Sequence, residues 1–282
     1  MTRIEQFGWR GAVEPGIGRV VSAHGDYYHL VCNEAEGEII ARKKKSNFMS
    51  KDAVKPITGD FVRFRYNRQG ESHITEVLPR FSRFERKDPA ARRKAQTLAV
   101  NFDTLFIMMS LNENFSIPRL ERFYALAEDM GKARLVTVLT KSDLTDPAPL
   151  TAELKAAFPG REFIAVSSVT GDGMDKVRSF AGTGETVALI GSSGVGKSTL
   201  LNRLAGEEWQ ATQEIQEWSG KGRHTTTSRE LIMLPCGAMV LDTPGVREIG
   251  MVGEEDEIVL KGEYSHRWRR RGGLSGDGDR AG

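Results

Sequence analysis

The sequence predicts a doubly wound α/β domain that follows a small all-β barrel. Three observations support this prediction: short β-type runs fill the first 80 residues, strand and helix patterns alternate from residue 103, and a glycine-rich strand-to-helix turn lies at 191–199. The chain has 282 residues, a length typical of about two domains, and 39% of them are hydrophobic. We therefore expect a barrel domain at 1–80, a basic linker at 81–101 and the α/β domain at 102–250.

The first domain contains five short β-type runs, separated by turn signals such as His24-Gly25-Asp26. Five strands in so short a segment favour a closed barrel, and an OB-fold is the natural candidate. Basic residues alternate with aromatic ones such as Phe48, Phe61, Phe64 and Tyr66, and such a surface binds phosphates and stacks bases. The alternative is that Phe61 and Phe64 are core and that the lysines form a solvated loop. The predicted strands are 17–23, 27–33, 38–43, 60–66 and 72–78, and the basic residues are Arg42, Lys43, Lys44, Lys45, Arg63, Arg65 and Arg68.

Charge is distributed unevenly along the chain. Residues 1–100 carry 19 Lys and Arg against 12 Asp and Glu, whereas the remaining residues carry 21 against 26. A basic surplus indicates a polyanionic partner, so we expect the barrel and the linker arginines Arg92 and Arg93 to contact RNA.

The sequence also bears on the cellular setting. It has no run of about 20 apolar residues that would cross a bilayer and no apolar signal segment at its start. Cys32 and Cys236 are far apart and form no metal-binding pair, a composition typical of a reducing compartment. We expect a cytoplasmic monomer that does not enter membranes.

The second domain begins at residue 103 with alternating strand and helix patterns. Ser116 is a suitable N-cap and Pro118 a suitable first-turn residue for its first helix. Alternation of this kind indicates a parallel sheet covered by helices on both faces. The predicted strands are 104–110, 134–139, 162–166, 186–190, 230–234 and 238–241, and the predicted helices are 117–130, 150–158, 174–180 and 197–204.

The glycine-rich turn at 191–199 reads GSSGVGKST and matches the phosphate-loop pattern GxxxxGK[ST]. Its glycines let successive backbone N–H groups turn toward phosphate oxygens with no Cβ in the way. Lys197 would reach the β and γ phosphates, and Ser198 would offer its hydroxyl to Mg²⁺. The predicted phosphate-binding residues are Gly191, Ser192, Ser193, Gly194, Val195, Gly196, Lys197, Ser198 and Thr199.

Two further elements indicate that the bound base is guanine. The tetrapeptide at 140–143, TKSD, resembles the [NT]KxD guanine-specificity element, and the serine pair at 167–168 resembles the loop that backs the base. A carboxylate at Asp143 can accept hydrogen bonds from both N1–H and the exocyclic amine of guanine, which adenine does not offer. The predicted base-binding residues are Thr140, Lys141, Ser142, Asp143, Ser167 and Ser168.

Two elements downstream of the phosphate loop complete the pattern. DTPG at 242–245 is a DxxG element, in which Asp242 would hold Mg²⁺ through water and the N–H of Gly245 would contact a γ phosphate. In GRHTTT at 222–227, Thr226 would close over the metal when a third phosphate is present. Together these motifs predict a P-loop GTPase domain that binds GTP or GDP with Mg²⁺, with Ser198, Thr226 and Asp242 at the metal.

The order of these elements predicts a circular permutation. Ordinary small GTPases run from the phosphate loop through DxxG to NKxD and the base-backing loop, whereas here the last two elements come first. Permutation preserves the nucleotide crevice, because that crevice lies at the carboxyl ends of the strands whichever strand comes first.

The barrel and these motifs, in this order, closely resemble the ribosome small subunit-dependent GTPase A family of bacteria over roughly 17–250. The resemblance implies a factor that binds the small ribosomal subunit and its rRNA, acts late in subunit maturation, and hydrolyses GTP with stimulation by the subunit. The family also has a C-terminal zinc domain with three cysteines and a histidine. Residues 251–282 contain no cysteine and one histidine, His266, so we expect no zinc ligands there and a disordered tail.

The water-orienting residue is the least defined part of the site. Many GTPases place a glutamine after the DxxG glycine, but this chain has Val246. His224 is the nearest candidate catalytic residue, and it can instead be a solvated loop histidine. One alternative function is a GTP-dependent RNA-binding switch with negligible turnover. Another is a metabolic nucleotide kinase, which leaves TKSD and the barrel unexplained.

Overall fold

The computed structural model describes residues 1–48, 53–86, 96–112, 115–206 and 230–242. Its first five strands form a closed barrel, because β1 pairs antiparallel with both β2 and β4 while β3 and β5 pair in parallel. The predicted strands are therefore present, each within two residues of its expected ends. The elements are α1 (Arg3–Gln6), β1 (Ile17–His24), β2 (Tyr27–Cys32), β3 (Ile39–Lys43), a 3₁₀ turn (Lys45–Phe48), β4 (Phe61–Arg65) and β5 (Ser72–Val77).

Two aromatic residues of β4 are buried, so their interpretation as base-stacking side chains is wrong. Phe64 is 4% exposed and belongs to the barrel core with Val20 and Leu30. Phe61, also 4% exposed, packs outside that core against Ile4 and Ile17, where the N-terminal segment covers it. The two rings lie on opposite faces of β4, so each is buried by a different part of the molecule.

The segment that the sequence indicated as a linker contains an antiparallel strand pair, β6 (Arg83–Arg86) and β7 (Gln96–Val100). Phe84 and Leu98 are 0% and 1% exposed and join the core of the second domain. The last three residues of β7 are all buried, so tertiary packing rather than a local alternating pattern stabilises these strands. The domain division remains a prediction, and Arg92 and Arg93 lie outside the described residues.

The second domain has a six-stranded sheet in the order β10-β9-β8-β11-β13-β12. Its neighbouring strands are parallel except for β12, which runs antiparallel to β13. Buried residues of α2 and α3 pack on one face of the sheet, and those of α4 and α5 pack on the other. The elements are β8 (Thr104–Ser110), α2 (Ile117–Ala127), β9 (Arg134–Thr140), α3 (Ala148–Ala157), β10 (Glu162–Ala165), α4 (Met174–Arg178), β11 (Thr186–Gly191), α5 (Lys197–Ala205), β12 (Glu230–Met233) and β13 (Met239–Asp242).

Helix α2 begins where the sequence predicts and ends earlier. The Ser116 Oγ accepts a hydrogen bond from Arg119 N–H, as expected of an N-cap. The helix ends at Ala127 rather than at residue 130, because Met130 N–H bonds to the Ala127 carbonyl three residues back and closes a tighter turn.

The barrel and the sheet are joined edge to edge, since Ser22 of β1 is paired with Glu230 of β12. The barrel thus extends the sheet beyond its antiparallel edge. None of the helices in the described part of the chain has the length and apolar character of a membrane span.

Candidate nucleotide-binding site

The predicted nucleotide-binding residues lie at one edge of the second domain's sheet. Strands β9, β10, β11 and β13 are mutually parallel, so their carboxyl ends share that edge. TKSD follows β9, the serine pair follows β10, the phosphate loop follows β11, and Asp242 is the last residue of β13. The fold therefore brings together motifs that are as far apart in sequence as residues 140 and 242.

The phosphate loop has the backbone conformation that its glycines permit. Gly194 and Gly196 have φ angles of 72° and 98°, in the region that side-chain-bearing residues rarely adopt. A Cβ at Gly191 would lie 2.7 Å from the Met108 carbonyl oxygen, so the loop leaves β11 closely against β8. Gly196 caps α5, and the loop therefore leads directly into a helix N-terminus, where backbone N–H groups favour anions.

Lys197 is held at the mouth of this loop. Its Nζ donates hydrogen bonds to the carbonyl oxygens of Gly191 and Ser192, at 2.6 and 2.7 Å. The ammonium is therefore positioned beside the loop, while Ser198 and Thr199 in the first turn of α5 are exposed to solvent. This arrangement puts a cation and a free-standing hydroxyl at the place where phosphates would be bound.

Thr140 connects the guanine element to the phosphate loop. Its side chain is buried, and its Oγ1 donates to the Val195 carbonyl oxygen at 2.6 Å, with the Met109 carbonyl 3.3 Å away. Lys141 follows with φ of 61°, and the Ser142 N–H then bonds to the Val166 carbonyl at 3.1 Å. Sequence reasoning assigned Thr140 to binding of the nucleotide base and missed its hydrogen bond to the phosphate loop, because nothing within TKSD reveals which loop lies beneath it.

Asp143 is oriented by Ser167. The Ser167 Oγ donates to Asp143 Oδ1 at 2.6 Å and accepts from the N–H groups of Val169 and Thr170, at 3.2 and 3.1 Å. Ser167 is fully buried whereas Asp143 is exposed, so a fixed hydroxyl holds a carboxylate that faces solvent. Such a carboxylate is prepared to accept hydrogen bonds from a planar ligand edge.

The remaining predicted residues are only partly covered. The backbone of Asp242 pairs with Glu230, so β12 begins at the same edge at which β13 ends. The side chain of Asp242 and the residues His224, Thr226 and Gly245 lie outside the described residues. Within the described residues, no cluster of three or more His, Cys, Asp or Glu side chains is arranged to hold a metal ion.

The barrel carries a second candidate surface, which we call the outer row. Neighbouring strands pair Tyr27 with Arg42, Arg42 with His73, and His73 with Arg65, so these four residues lie side by side. The guanidinium carbon of Arg42 lies 4.1 Å from the centre of the Tyr27 ring, and the ring is 40% exposed. The sequence analysis included Arg42 and Arg65 and missed Tyr27. Successive residues of a strand face opposite sides, so an inward-facing Tyr28 implies an outward-facing Tyr27.

Comparison with known proteins agrees with this geometry. The sequence pattern of the RsgA GTPase family matches residues 77–252. The chain is 42% identical over 234 residues to the small ribosomal subunit biogenesis GTPase RsgA 2 of Lactiplantibacillus plantarum, covering 83% of this chain and 66% of that protein. It is 36% identical over 271 residues to the small ribosomal subunit biogenesis GTPase RsgA of Syntrophotalea carbinolica, covering 90% of this chain and 74% of that protein.

Solved structures agree on the fold. YjeQ from Thermotoga maritima superposes with a TM-score of 0.60 at 25% identity, covering 81% of this chain and 74% of that chain. YloQ, described as a circularly permuted GTPase, superposes with a TM-score of 0.53 at 20% identity, covering 84% of this chain and 74% of that chain, and supports the fold alone. The expected fold, an N-terminal barrel with a circularly permuted GTPase domain, is confirmed, and this chain belongs to the RsgA GTPase family.

Proposed function

We propose that this protein is a cytoplasmic GTPase that binds the small ribosomal subunit, acts late in its maturation, and hydrolyses GTP to GDP and phosphate with stimulation by the subunit. The observation that carries the nucleotide part is the pair of short hydrogen bonds at the sheet edge. One joins Ser167 to Asp143, and the other joins Thr140 to the phosphate loop at Val195. The ribosomal part rests on the relatives' names and on the basic outer row.

Guanine recognition follows from the Asp143 carboxylate. Because Ser167 holds Oδ1 from behind, the carboxylate presents itself to solvent in one orientation. Guanine offers two adjacent donors, N1–H and the exocyclic amine, to such a group, whereas adenine offers an unprotonated N1 at the same place. The Thr140 tie fixes the distance between the base element and the phosphate loop, so the site accommodates base and phosphates of one nucleotide together.

Phosphate and Mg²⁺ fit the residues that the structure describes. The left-handed glycines of the loop carry no side chain that would block a phosphate, and Lys197 supplies positive charge beside the loop. Mg²⁺ prefers oxygen ligands, and the exposed Ser198 hydroxyl at the start of α5 is such a ligand. We propose that Asp242 and Thr226 complete the metal environment and that Gly245 contacts the γ phosphate. The metal would neutralise charge on the β and γ phosphates.

For hydrolysis we propose His224 as the residue that orients the attacking water, because valine at position 246 cannot do so. The segment with His224 precedes β12 in the chain. Strand β12 begins at the nucleotide edge, the sheet edge formed by the carboxyl ends of β9, β10, β11 and β13. We expect slow turnover in the isolated chain and faster turnover when the subunit is bound.

The test is multiple-turnover GTP hydrolysis with and without purified small ribosomal subunits. Wild type should be stimulated at least about tenfold, and His224→Ala should keep its GDP affinity while losing most of the stimulated rate. Asp143→Asn should lose stimulation with GTP and regain it with xanthosine triphosphate, which has a carbonyl where guanine has its amine. GTP binding without stimulated turnover in wild type would favour the alternative of a GTP-dependent RNA-binding switch.

Subunit contact by the outer row has a separate test. Each phosphate that a protein neutralises contributes about 0.7 to 0.9 to the slope of log affinity against log salt. Replacing Arg42 and Arg65 with Glu should reduce the magnitude of this slope by about 1.5. It should also weaken subunit binding and leave GDP affinity unchanged. The control replaces Arg134 and Arg178, exposed arginines of the second domain, with Glu. Equal slopes for the outer-row variant and wild type would remove the row from the interface.

A further inference from the structure

A single buried arginine lies where the barrel meets the second domain. Arg19 of β1 is 1% exposed, and its guanidinium donates to the carbonyl oxygens of Phe7 and Asn101 at 2.7 and 2.8 Å. Its Nε lies 3.4 Å from the Gly59 carbonyl, and Nη1 lies 3.4 Å from Sδ of Met239. Four separate segments thus converge on one side chain: the N-terminal segment, the turn before β4, the end of β7, and β13.

The electrostatics of this site are unusual for a purely structural contact. Arg19 forms no ion pair with a carboxylate of the described residues, and the Phe61 ring lies 4.8 Å from its guanidinium carbon. Burial lowers the pKa of Arg19 to about 9, and the more distant Asp103 and Asp60 oppose that shift. At neutral pH the side chain is therefore a buried cation bonded to carbonyl dipoles. An apolar residue would fill the same space without the desolvation cost of a charge, so packing alone does not account for it.

The Met239 contact joins this arginine to a strand whose opposite end lies at the nucleotide edge. Met239 begins β13 and is paired with Thr186, the first residue of β11, which ends in the phosphate loop. The same barrel strand makes the other edge contact, Ser22 with Glu230 of β12. Both strands that β1 contacts therefore end or begin at the nucleotide site.

The junction has no spare room. Gly8 has φ of 84°, and a Cβ there would lie 2.9 Å from Nη1 of Arg19 and 2.8 Å from the Gly184 carbonyl oxygen. Gly59 has φ of 95°, and its Cβ would lie 2.8 Å from the Val100 carbonyl oxygen. Backbones this close move together rather than slide past one another.

We infer that Arg19 couples the nucleotide-binding sheet to the barrel, so that nucleotide bound at the phosphate loop changes the local stability of β1. Arg19 is a positioning residue and does not touch the nucleotide. The inference rests on the proposed nucleotide site and is independent of any ribosomal partner. It provides a route by which the bound nucleotide alters the barrel surface that carries the outer row.

The experiment is hydrogen exchange of the full chain, read by mass spectrometry with and without saturating GDP and Mg²⁺. In wild type we expect GDP to slow exchange of the β1 amides, residues 17–24, by about threefold or more. Arg19→Met keeps an unbranched side chain but removes the bonds to the carbonyls. It should bind GDP within about threefold of wild type and show no GDP effect in β1.

The matched control is Arg10→Met. Arg10 lies at the same junction and pairs with Asp103, but its side chain is 59% exposed, and no hydrogen bond or ion pair of the described residues joins it to β13. This variant should keep the GDP effect in β1. Met239→Leu, which removes the sulfur at similar volume, should reduce the effect and serves as the test if Arg19→Met does not fold.

The outcomes separate the two proposals. Failure of wild type to bind GDP would overturn the proposed nucleotide site. GDP binding without any change in β1 exchange in wild type would overturn the coupling, as would a full GDP effect in Arg19→Met or, should that variant not fold, in Met239→Leu. Loss of the effect in Arg19→Met with retention in Arg10→Met would support it.

Discussion

The nucleotide edge and the barrel junction use the same kind of bond in opposite settings. At the edge, the hydroxyls of Thr140 and Ser167 bind neighbouring loops and leave Asp143 facing solvent. At the junction, Arg19 and Arg80 bind backbone carbonyls of segments that are far apart in sequence, and Arg80 also pairs with the buried Asp60. The edge exposes polar groups to a ligand, whereas the junction hides charge from water.

This difference separates binding from stability. A buried neutral hydroxyl costs less to desolvate than a buried charge, so loss of the Thr140 or Ser167 hydroxyl should weaken ligand binding more than it weakens the fold. Removal of one member of a buried ionic interaction leaves its partner unpaired in the interior. Such a loss should weaken the fold and have little effect on ligand binding. The three predictions below test that separation, from the largest expected effect to the smallest.

The largest effect is expected for Arg80→Ala. Arg80 donates two hydrogen bonds of 2.8 Å to Asp60, whose carboxylate is fully buried, so the variant should lose about 3–5 kcal/mol of unfolding free energy. Burial raises the pKa of Asp60, and Arg80 opposes that rise. Without Arg80 the pKa of Asp60 rises further, so the Asp60 carboxyl of the variant should be protonated in acid. The variant should therefore lose least stability at low pH. It should lose stability as pH increases through the folded-state pKa.

Urea unfolding at pH 5 and pH 7.5 measures this, with GDP affinity determined beside it. Arg134→Ala is the control, since its pair with Glu185 is partly exposed and its loss should cost at most about 1 kcal/mol. A deficit independent of pH, or a tenfold loss of GDP affinity in Arg80→Ala, would break the proposed separation.

The next effect is expected for Asp143→Asn. Exchange of the carboxylate for an amide replaces one acceptor of the two guanine donors, so GTP affinity should fall about 100-fold and xanthosine triphosphate affinity should rise. Thermal stability should stay close to wild type because the residue is exposed. Fluorescent nucleotide titration measures the affinities, and Asp146→Asn, whose side chain bonds to Ala148 N–H instead, is the control. Unchanged GTP affinity in Asp143→Asn would remove this residue from the base site.

The smallest effect is expected for Ser167→Ala. Loss of the hydroxyl frees Asp143 to rotate and should weaken GTP binding about tenfold. Because Ser167 acts through Asp143, the same change made in the Asp143→Asn background should add almost nothing. A double-mutant cycle of GTP affinities measures this coupling, with Ser179→Ala at the C-cap of α4 as the control. Additive effects would mean that Ser167 contributes by another route.

Sequence reasoning could predict that the candidate nucleotide-binding residues share one sheet edge, because each of them belongs to a local motif. The glycines, the lysine and the carboxylate occupy fixed spacings, and parallel strands then bring their carboxyl ends together whatever the loop lengths. The Thr140 tie escaped prediction because the Val195 carbonyl belongs to a loop 55 residues away. The binding and catalytic roles assigned to the residues of this edge, and to His224, Thr226 and Gly245 outside the described part of the chain, stay predictions.

The junction and the barrel surface were less predictable, since burial there depends on tertiary contacts. Phe61 faces outward from the barrel and is buried by tertiary contacts, among them Ile4 and Trp9 of the N-terminal segment. In β6 the neighbours of Phe84 are charged, and Phe84 alone reveals little of the core that it enters. Arg19 resembles any strand arginine until the carbonyls of Phe7 and Asn101 are placed around it.

The central claim is that the sheet edge binds guanine nucleotides specifically. Equilibrium displacement of a fluorescent GDP analogue from the full chain in Mg²⁺ tests it most directly, with unlabelled GTP, GDP and ATP as competitors. Guanine nucleotides should displace the probe at least about 1,000-fold more effectively than ATP, because only guanine satisfies the Asp143 carboxylate. Equal displacement by ATP would contradict the account.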